Sequence, residues 1–207
     1  CQEQGSPDRC FTASHTHRGT SVPPRQRRIL RIPSFLKNKR YLSIRKQTTH
    51  KLATIALFPG SFDPFTAGHL NILKRALTMF DTVVVAAGIN QDKTGFFDME
   101  QKLEIIRQST KDLKGVKIIK YDGLTIDVCR EMGIRHIIRG VRNMLDFENE
   151  RAIADANRRL APEIETIIIP TAQEYAHISS SAVRDILRHH GDTSMFEPAG
   201  VKLPKVR

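Results

Sequence analysis

Residues 54–69 of this 207-residue chain read TIALFPGSFDPFTAGH. Residues 54–58 are apolar or β-branched and stop at Pro59-Gly60, which is typical of a short strand buried on both faces. Apolar side chains then recur at helical spacing from Leu70 to Phe80. The stretch therefore predicts a strand, a tight turn rich in Gly and Pro, and a helix.

Four more apolar runs have the same strand-like composition and cover residues 83–87, 116–119, 136–138 and 166–169. Stretches with helical spacing separate them; two of these lead to Phe80 and Thr110, and the others cover residues 125–132, 146–160 and 180–188. Asp98 and Gln101 form a capping pair that predicts the start of the second helix. This alternation predicts an α/β fold, a doubly wound Rossmann-like domain with five parallel strands that binds ligands at their carboxyl ends.

Positive charge is concentrated at the start of the chain. The net charge is +11, but residues 1–50 hold eleven Lys and Arg against two acidic residues, whereas 22 basic and 20 acidic residues lie beyond position 50. High charge without sustained hydrophobic periodicity predicts a largely disordered basic extension at residues 1–51, followed by one catalytic domain at residues 52–207. The extension is either without function, or a targeting segment of the Arg-rich, acid-poor type, or a nucleic-acid contact.

The three cysteines, Cys1, Cys10 and Cys129, have neither metal-ligand spacing nor the even count of a disulfide framework. They suggest a reducing compartment, so we expect a cytoplasmic protein. The chain has no run of about 18 apolar residues, and no membrane-spanning helix is expected. The nearly neutral charge beyond residue 50 argues against nucleic acid as the partner of the catalytic domain.

The turn after the first strand carries groups suited to binding phosphate. Gly60 and Gly68 let the backbone approach a ligand, Ser61 supplies a hydroxyl, and the following helix presents free N–H groups at its start. His69 lies within the first turn of that helix, where its imidazole can donate to a phosphate that gains charge in the transition state. A histidine that only caps or packs is the alternative, but the placement of TAGH at residues 66–69, after a strand, favours catalysis.

Two further segments place cations and hydroxyl groups at the ends of predicted elements. Arg139 and Arg142 flank Gly140 after a buried strand, and guanidinium groups bind phosphate through paired N–H donors. Three serines at residues 179–181 precede the last predicted helix, where one serine suffices as a cap and three suggest phosphate contact as well. Solvated arginines and ordinary helix capping are the alternatives.

These motifs resemble the nucleotidyltransferases with a T/H-x-G-H signature, and among them the bacterial phosphopantetheine adenylyltransferase family. The resemblance extends from about residue 54 to beyond Gly191 and rests on three further blocks. These are RGVRN with DFENE at residues 139–150, EYAHISSS at residues 174–181 continuing to Arg184, and Lys93. The resemblance implies direct transfer of AMP from ATP to 4′-phosphopantetheine, giving dephospho-coenzyme A and pyrophosphate in coenzyme A biosynthesis, without a covalent enzyme intermediate.

The resemblance also implies roles for individual residues. His69 is the implied catalytic residue, and the implied acceptor-binding residues are Ser61, Lys93, Thr125, next to Leu124, and Arg139. The implied ATP-binding residues are Ser61, Phe62, His69, Gly140, Val141, Arg142, Glu150, Tyr175, Ala176, His177, Ile178, Ser179, Ser180 and Ser181. No side chain is expected to ligate a metal, because the expected cofactor Mg²⁺ is held mainly by the phosphates of ATP and by water. The family is typically hexameric, which predicts a homo-oligomer.

Two positions depart from the commonest family pattern, since Ser61 stands where threonine is frequent and Phe58 where tyrosine is frequent. Residues 1–51 have no counterpart in the family. Related transferases acting on nicotinate mononucleotide, or with CTP on a polyol or choline phosphate, are the nearest alternatives. The combination of the blocks at 139–148 and 175–181 favours the pantetheine enzyme. A nucleic-acid-binding module driven by the basic segment is an alternative of a different class.

Overall fold

The structure is a computed structural model that describes residues 53–89 and 95–204. The predictions for residues 1–51, including Cys1 and Cys10, lie outside the described residues. The predicted acceptor-binding residue Lys93 lies outside them as well.

Strands and helices alternate along the described chain, as the sequence predicts. The strands are β1 (Ile55–Gly60), β2 (Thr82–Gly88), β3 (Val116–Tyr121), β4 (His136–Val141) and β5 (Glu165–Pro170). The helices are α1 (Ala67–Ala76), α2 (Met99–Thr110), α3 (Thr125–Met132), α4 (Met144–Leu160) and α5 (Ser180–Arg188), with a 3-10 turn at Gln173–Tyr175 before α5. The five strands form one parallel sheet in the order β3-β2-β1-β4-β5, which confirms the predicted doubly wound fold.

The strands β1 and β2 are buried on both faces, which explains why their sequences are apolar rather than alternating. The edge strand β3 carries the exposed Lys117 and Lys120. On one face Phe58 and Val85 pack with residues of α1 and α2 such as Leu73 and Ile106. On the other face Leu57, Val84 and Ile137 pack with residues of α3, including Ile126 and Cys129. Cys129 is a free thiol, and burial raises its pKa to about 11.

Several elements begin or end differently from the sequence prediction. β1 continues through Pro59 and Gly60, because these residues remain in register with Ala86 and Ala87 of β2. β4 runs on to Val141, so Arg139 lies within the strand rather than at its end. α1 ends at Ala76, before Phe80.

α4 begins two residues earlier than predicted, because the side chain of Asn143 accepts the backbone N–H of Asp146 at 2.9 Å and caps the helix. Within α4, all of which the structure describes, no residue is buried. Met144 and Leu145 are each 71% exposed, and Ile153 and Leu160 are also exposed. In residues 53–89 and 95–204 no helix combines the length and apolar composition needed to cross a membrane.

The order of the strands defines where a ligand should bind. From β1 the chain moves to β2 on one side, whereas β4 lies on the other side of β1, with Leu57 in register with Ile137. In doubly wound sheets, ligands bind in the crevice beyond the carboxyl ends of the two strands at this reversal.

Candidate active site

A cavity of about 380 Å³ lies beyond the carboxyl ends of β1 and β4. Its walls come from the β1–α1 turn, from the β4–α4 connection with the first turns of α4, and from the start of α5. The predicted site residues that line it are Ser61, Phe62, His69, Arg139, Gly140, Arg142, Glu150, Ile178, Ser179, Ser180 and Ser181. The fold thus brings the histidine, both arginines and the three serines to one cavity, although they are distant in sequence.

His69 is the third residue of α1 and takes part in the cap of that helix. The backbone N–H of Thr66 donates to its Nδ1 at 3.0 Å, and the hydroxyl oxygen of Thr66 lies 2.9 Å from the same atom. A backbone N–H can only donate, so Nδ1 carries the lone pair. The neutral imidazole therefore carries its hydrogen on Nε2, which leaves that atom as a donor for a ligand.

Three aromatic rings surround the imidazole of His69. The ring centres of Phe62, Phe65 and Phe58 lie 5.2, 5.4 and 6.5 Å from it. Burial, followed by the positive charges of Arg142 and Arg139, lowers the pKa of His69 from 6.5 to about 4. At neutral pH the side chain is therefore an uncharged donor, and the positive charge of the site resides on the arginines.

The turn between β1 and α1 is anchored by the side chain of Asp63. Phe62 has a φ of 44°, and the peptide bond between Asp63 and Pro64 is cis. The buried carboxylate of Asp63 accepts the backbone N–H groups of Phe96 and Phe97 at 2.8 and 2.9 Å. These contacts fix the turn that carries Ser61 and Phe62 to the segment preceding α2.

Arg139 forms a two-pronged ion pair with Glu150 of α4. Its Nε and one terminal nitrogen each donate to the carboxylate at 2.6 Å, and the other terminal nitrogen donates to the carbonyl of Pro59 at 2.7 Å. The family resemblance implied that Arg139 binds the acceptor and that Glu150 binds ATP. In the structure the two side chains are partners, so the carboxylate fixes the guanidinium between β1 and α4.

Arg142 and Asp146 form a second such pair one turn before Glu150. The Nε of Arg142 donates to the Asp146 carboxylate at 2.7 Å. Hydrogen bonds from Arg142 hold the pKa of Asp146 below its usual range. The sequence block at 146–150 pointed to this helix turn but gave Asp146 no role.

The three serines at the start of α5 each have a protein partner. Ser179 caps the helix by accepting the backbone N–H of Ala182 at 3.0 Å, and Ser180 donates to the carbonyl of Pro64 at 2.9 Å. Arg184 donates to the hydroxyl of Ser181 at 3.1 Å and to the carbonyl of Asp63 at 2.6 Å. The hydroxyl of Ser180 and the guanidinium of Arg184 thus join α5 to the β1–α1 turn, whereas the hydroxyls of Ser179 and Ser181 bond within α5.

Some predicted site residues do not line the cavity. Thr125 lies at the start of α3, and its hydroxyl is 3.0 Å from that of Tyr121. The others outside the lining are Val141, Tyr175, Ala176 and His177. Their assignments remain predictions.

The sequence reasoning did not assign other residues that line the cavity. These are Phe58, Pro59, Thr66, Ile72, Asp146, Asn149, Thr171 and Arg184. Helical spacing was a usable signal for the last of them, because Arg184 lies about one turn after the serines of the α5 start.

The side chains that line the cavity also indicate how a metal ion could be coordinated there. In the described part of the chain, no three or more His, Cys, Asp or Glu side chains are grouped as metal ligands. The cavity carboxylates of Asp146 and Glu150 are both engaged by arginines. Such a donor set fits a divalent cation that is coordinated mainly by nucleotide phosphates and water.

Comparison with known proteins identifies the class of the chain. The family model described as Cytidylyltransferase-like matches residues 57–186. The fold resembles that of a bifunctional NMN adenylyltransferase/ADP ribose pyrophosphatase from Francisella tularensis, with a TM-score of 0.57 and 18% identity. The match covers 72% of this chain but only 46% of that protein. A putative nicotinate-nucleotide adenylyltransferase from Vibrio parahaemolyticus gives a TM-score of 0.54 at 18% identity, covering 70% of this chain and 94% of that one. The fold, the cavity and the family match define a nucleotidyltransferase.

Relatives with higher sequence identity show which nucleotidyltransferase family the chain belongs to. The phosphopantetheine adenylyltransferase of Flavobacterium psychrophilum is 47% identical over 148 residues, which are 72% of this chain and 97% of that protein. That of Bacteroides fragilis is 46% identical over 72% of this chain and 98% of the relative. The chain belongs to the phosphopantetheine adenylyltransferase family.

Proposed function

We propose that the chain transfers the AMP part of ATP to 4′-phosphopantetheine, giving dephospho-coenzyme A and pyrophosphate. The observation that carries the proposal is the convergence of the uncharged Nε2–H donor of His69 with Arg139, Arg142 and Arg184 in one cavity. The two relatives that are 46–47% identical to the chain over 148 aligned residues are named for this activity.

The reaction follows from the chemistry of these groups. An oxygen of the acceptor phosphate bonds to the α-phosphorus of ATP, while the bond from that phosphorus to the bridging oxygen breaks and pyrophosphate leaves. The acceptor phosphate is already anionic, so the protein needs to supply position and charge stabilisation rather than a general base. The Nε2–H of His69 donates to an oxygen of the α-phosphate, where negative charge increases in the transition state.

We assign the remaining groups to the two substrates. Arg142, Glu150 and residues 175–181 bind ATP, while Arg139, with Lys93 and Thr125, binds the acceptor. The exposed hydroxyl of Ser61 contacts phosphate oxygens near the reacting centre. Mg²⁺, bound chiefly by the triphosphate, supplies further charge neutralisation when present.

We further propose that the protein is a cytoplasmic homo-oligomer, with a hexamer as the specific form. The exposed apolar residues Met144, Leu145, Ile153 and Leu160 on a helix without buried residues support an association surface. Light scattering after size exclusion tests the assembly, and a monomeric particle at micromolar concentration would contradict it.

Residues 52–207 form the catalytic domain in this proposal. The cavity is lined by residues between Phe58 and Arg184, so deletion of residues 1–51 should leave pyrophosphate release unchanged. Loss of activity on truncation would argue against this division. Salt-sensitive DNA or RNA binding that disappears with the same deletion would instead support the nucleic-acid alternative for the extension.

The deciding experiment measures pyrophosphate release by the full chain with a panel of substrates. ATP is combined with 4′-phosphopantetheine or nicotinate mononucleotide, and CTP with choline phosphate. We expect turnover only with ATP and 4′-phosphopantetheine. Turnover of either other pair, without reaction of 4′-phosphopantetheine, would contradict the proposed acceptor.

A further inference from the structure

Asp146 is the third residue of α4, and its carboxylate lies among the groups that line the cavity. Among residues 53–89 and 95–204, the donors to this carboxylate all belong to Arg142: the backbone N–H at 3.1 Å, Nε at 2.7 Å and a terminal nitrogen at 3.1 Å. Two side-by-side contacts of this kind fix the plane of a guanidinium as well as its position. The side chains of Arg142 and Asp146 are 34% and 23% exposed, so water screens the pair only in part.

The position of Asp146 is itself fixed by the cap of α4. Its backbone N–H donates to the side chain of Asn143, which caps α4. An acidic side chain in the first turn is also favoured by the dipole of the helix. Asp146 therefore remains ionised near neutral pH and holds Arg142 from the capped start of α4.

Arg142 reaches across the cavity to the other wall. A terminal nitrogen donates to the carbonyl of Ile178 at 3.4 Å, directly before the capping residue Ser179 of α5. A guanidinium has five N–H donors, and these contacts use three of them. Among the described residues, two N–H donors of Arg142 are thus left for a ligand.

We infer that Asp146 is a positioning residue that holds the guanidinium of Arg142 in the orientation that binds the phosphates of ATP; the inference rests on the proposed function. Arg142 depends on this partner more than Arg139 depends on Glu150. Arg139 has a second firm contact at 2.7 Å to the carbonyl of Pro59, whereas the second contact of Arg142 is long, at 3.4 Å. Without the carboxylate, Arg142 would lose rotamer freedom only when ATP binds, and that loss weakens binding.

The test uses a double-mutant cycle with a matched control. Asp146→Asn and Arg142→Ala are made singly and together. Glu148→Gln removes a carboxylate from the same helix, where Glu148 pairs with Arg151 at 2.8 Å on the exposed side and does not line the cavity. Calorimetry gives the Kd of ATP without acceptor, kinetics gives KM for 4′-phosphopantetheine, and thermal melting checks folding.

We expect Asp146→Asn to weaken ATP binding about tenfold or more, as for loss of a charge-assisted hydrogen-bonded pair. KM for the acceptor should stay within about twofold, and Glu148→Gln should bind ATP like the wild type. In the Arg142→Ala background, Asp146→Asn should have no further effect, because Asp146 acts through Arg142.

Equal ATP binding by Asp146→Asn and Glu148→Gln would overturn the inference, and so would a full additional loss in the Arg142→Ala background. A purely structural role would lower the melting temperature and affect both substrates together. Since the calorimetry contains no acceptor, failure of 4′-phosphopantetheine to react would contradict the proposed function alone. A wild-type chain that binds no ATP would contradict both.

Discussion

The Nδ1 atom of His69 lies 3.0 Å from the backbone nitrogen of Thr66. One interaction thereby caps α1 and fixes the imidazole with its hydrogen on Nε2. The donor that we propose to be catalytic is oriented by the helix that carries it. The sequence pattern T-x-G-H thus acquires a physical meaning, because the three-residue spacing is that of a capping box.

Replacement of the imidazole should affect the chemical step. His69→Ala is expected to lower kcat by about 100-fold or more, as for loss of one transition-state donor. The Kd of ATP should change much less, because this interaction strengthens mainly in the transition state. His69→Gln offers an amide N–H near the former Nε2 and should retain more activity than His69→Ala. Steady-state kinetics with calorimetry of ATP checks this, and an unchanged kcat in His69→Ala would remove the assigned role.

The pH dependence of stability should show the low pKa of His69. The pKa is about 4 in the folded protein and 6.5 for an ordinary histidine. Between these values the unfolded chain binds more protons at this residue, so the free energy of unfolding rises with pH. The contribution, roughly 3 kcal/mol, is complete above pH 6.5 and is lost as the pH falls through about 4.

Urea unfolding of wild type and His69→Gln between pH 4 and 7 measures this difference. We expect the wild type to lose more stability on acidification than the variant does. Parallel curves for the two proteins would contradict the burial of a neutral imidazole. For the same reason, kcat should show no inflection from His69 between pH 5.5 and 8.

Loss of Arg139 should weaken both the fold and the binding of the acceptor. Arg139→Ala leaves Glu150, only 16% exposed, without its partner, and we expect a loss of roughly 2 kcal/mol of stability. Arg139→Ala/Glu150→Ala should recover part of that stability, since no unpaired carboxylate remains, but should not restore a low KM for the acceptor. Thermal and urea unfolding with acceptor kinetics distinguish the two effects, and Arg151→Ala on the exposed side of α4 is the control. A double variant less stable than Arg139→Ala would contradict this account.

Gly140 should tolerate no side chain while Ile72 is present. A Cβ at Gly140 would lie 2.9 Å from Cγ1 of Ile72 in α1, the helix that carries His69. Gly140→Ala is expected to cost roughly 1–3 kcal/mol by overpacking and to lower kcat by displacing the imidazole.

Ile72→Ala removes the clashing atom and alone creates a cavity that costs roughly 2–5 kcal/mol. The double variant Gly140→Ala/Ile72→Ala should therefore be less destabilised than the sum of the single variants. Additive effects on the urea midpoint would indicate that the two residues do not compete for the same space.

The sequence predicted five strands and their parallel arrangement, because each strand contains a short run that is mostly apolar. It did not predict their spatial order, β3-β2-β1-β4-β5. The Asp98–Gln101 cap was predictable and is observed, since both partners lie within one helical turn. Arg139 and Glu150 were predicted as site residues but not as partners. Their contact depends on how α4 lies against β4, and periodicity carries no information on that packing.

Contacts between residues that are distant in the chain could not be predicted from the sequence either. Ser180 donates to Pro64 and Arg184 to the carbonyl of Asp63, across more than a hundred residues in each case. The sequence indicated three serine hydroxyls for phosphate contact, and in the structure the hydroxyl of Ser180 also joins α5 to the turn. Thr125 was assigned by resemblance alone and lies outside the cavity lining.

The carbonyl of Phe196 accepts the backbone N–H of Ala67, the first residue of α1, at 2.9 Å. The N–H of His69 is directed to Thr66. Two backbone N–H groups at this helix end thus already donate hydrogen bonds within the protein, and they are not free to bind an anion. A ligand anion at this helix end therefore depends less on these two backbone N–H groups and more on the side-chain hydrogen of His69, which a single substitution can remove.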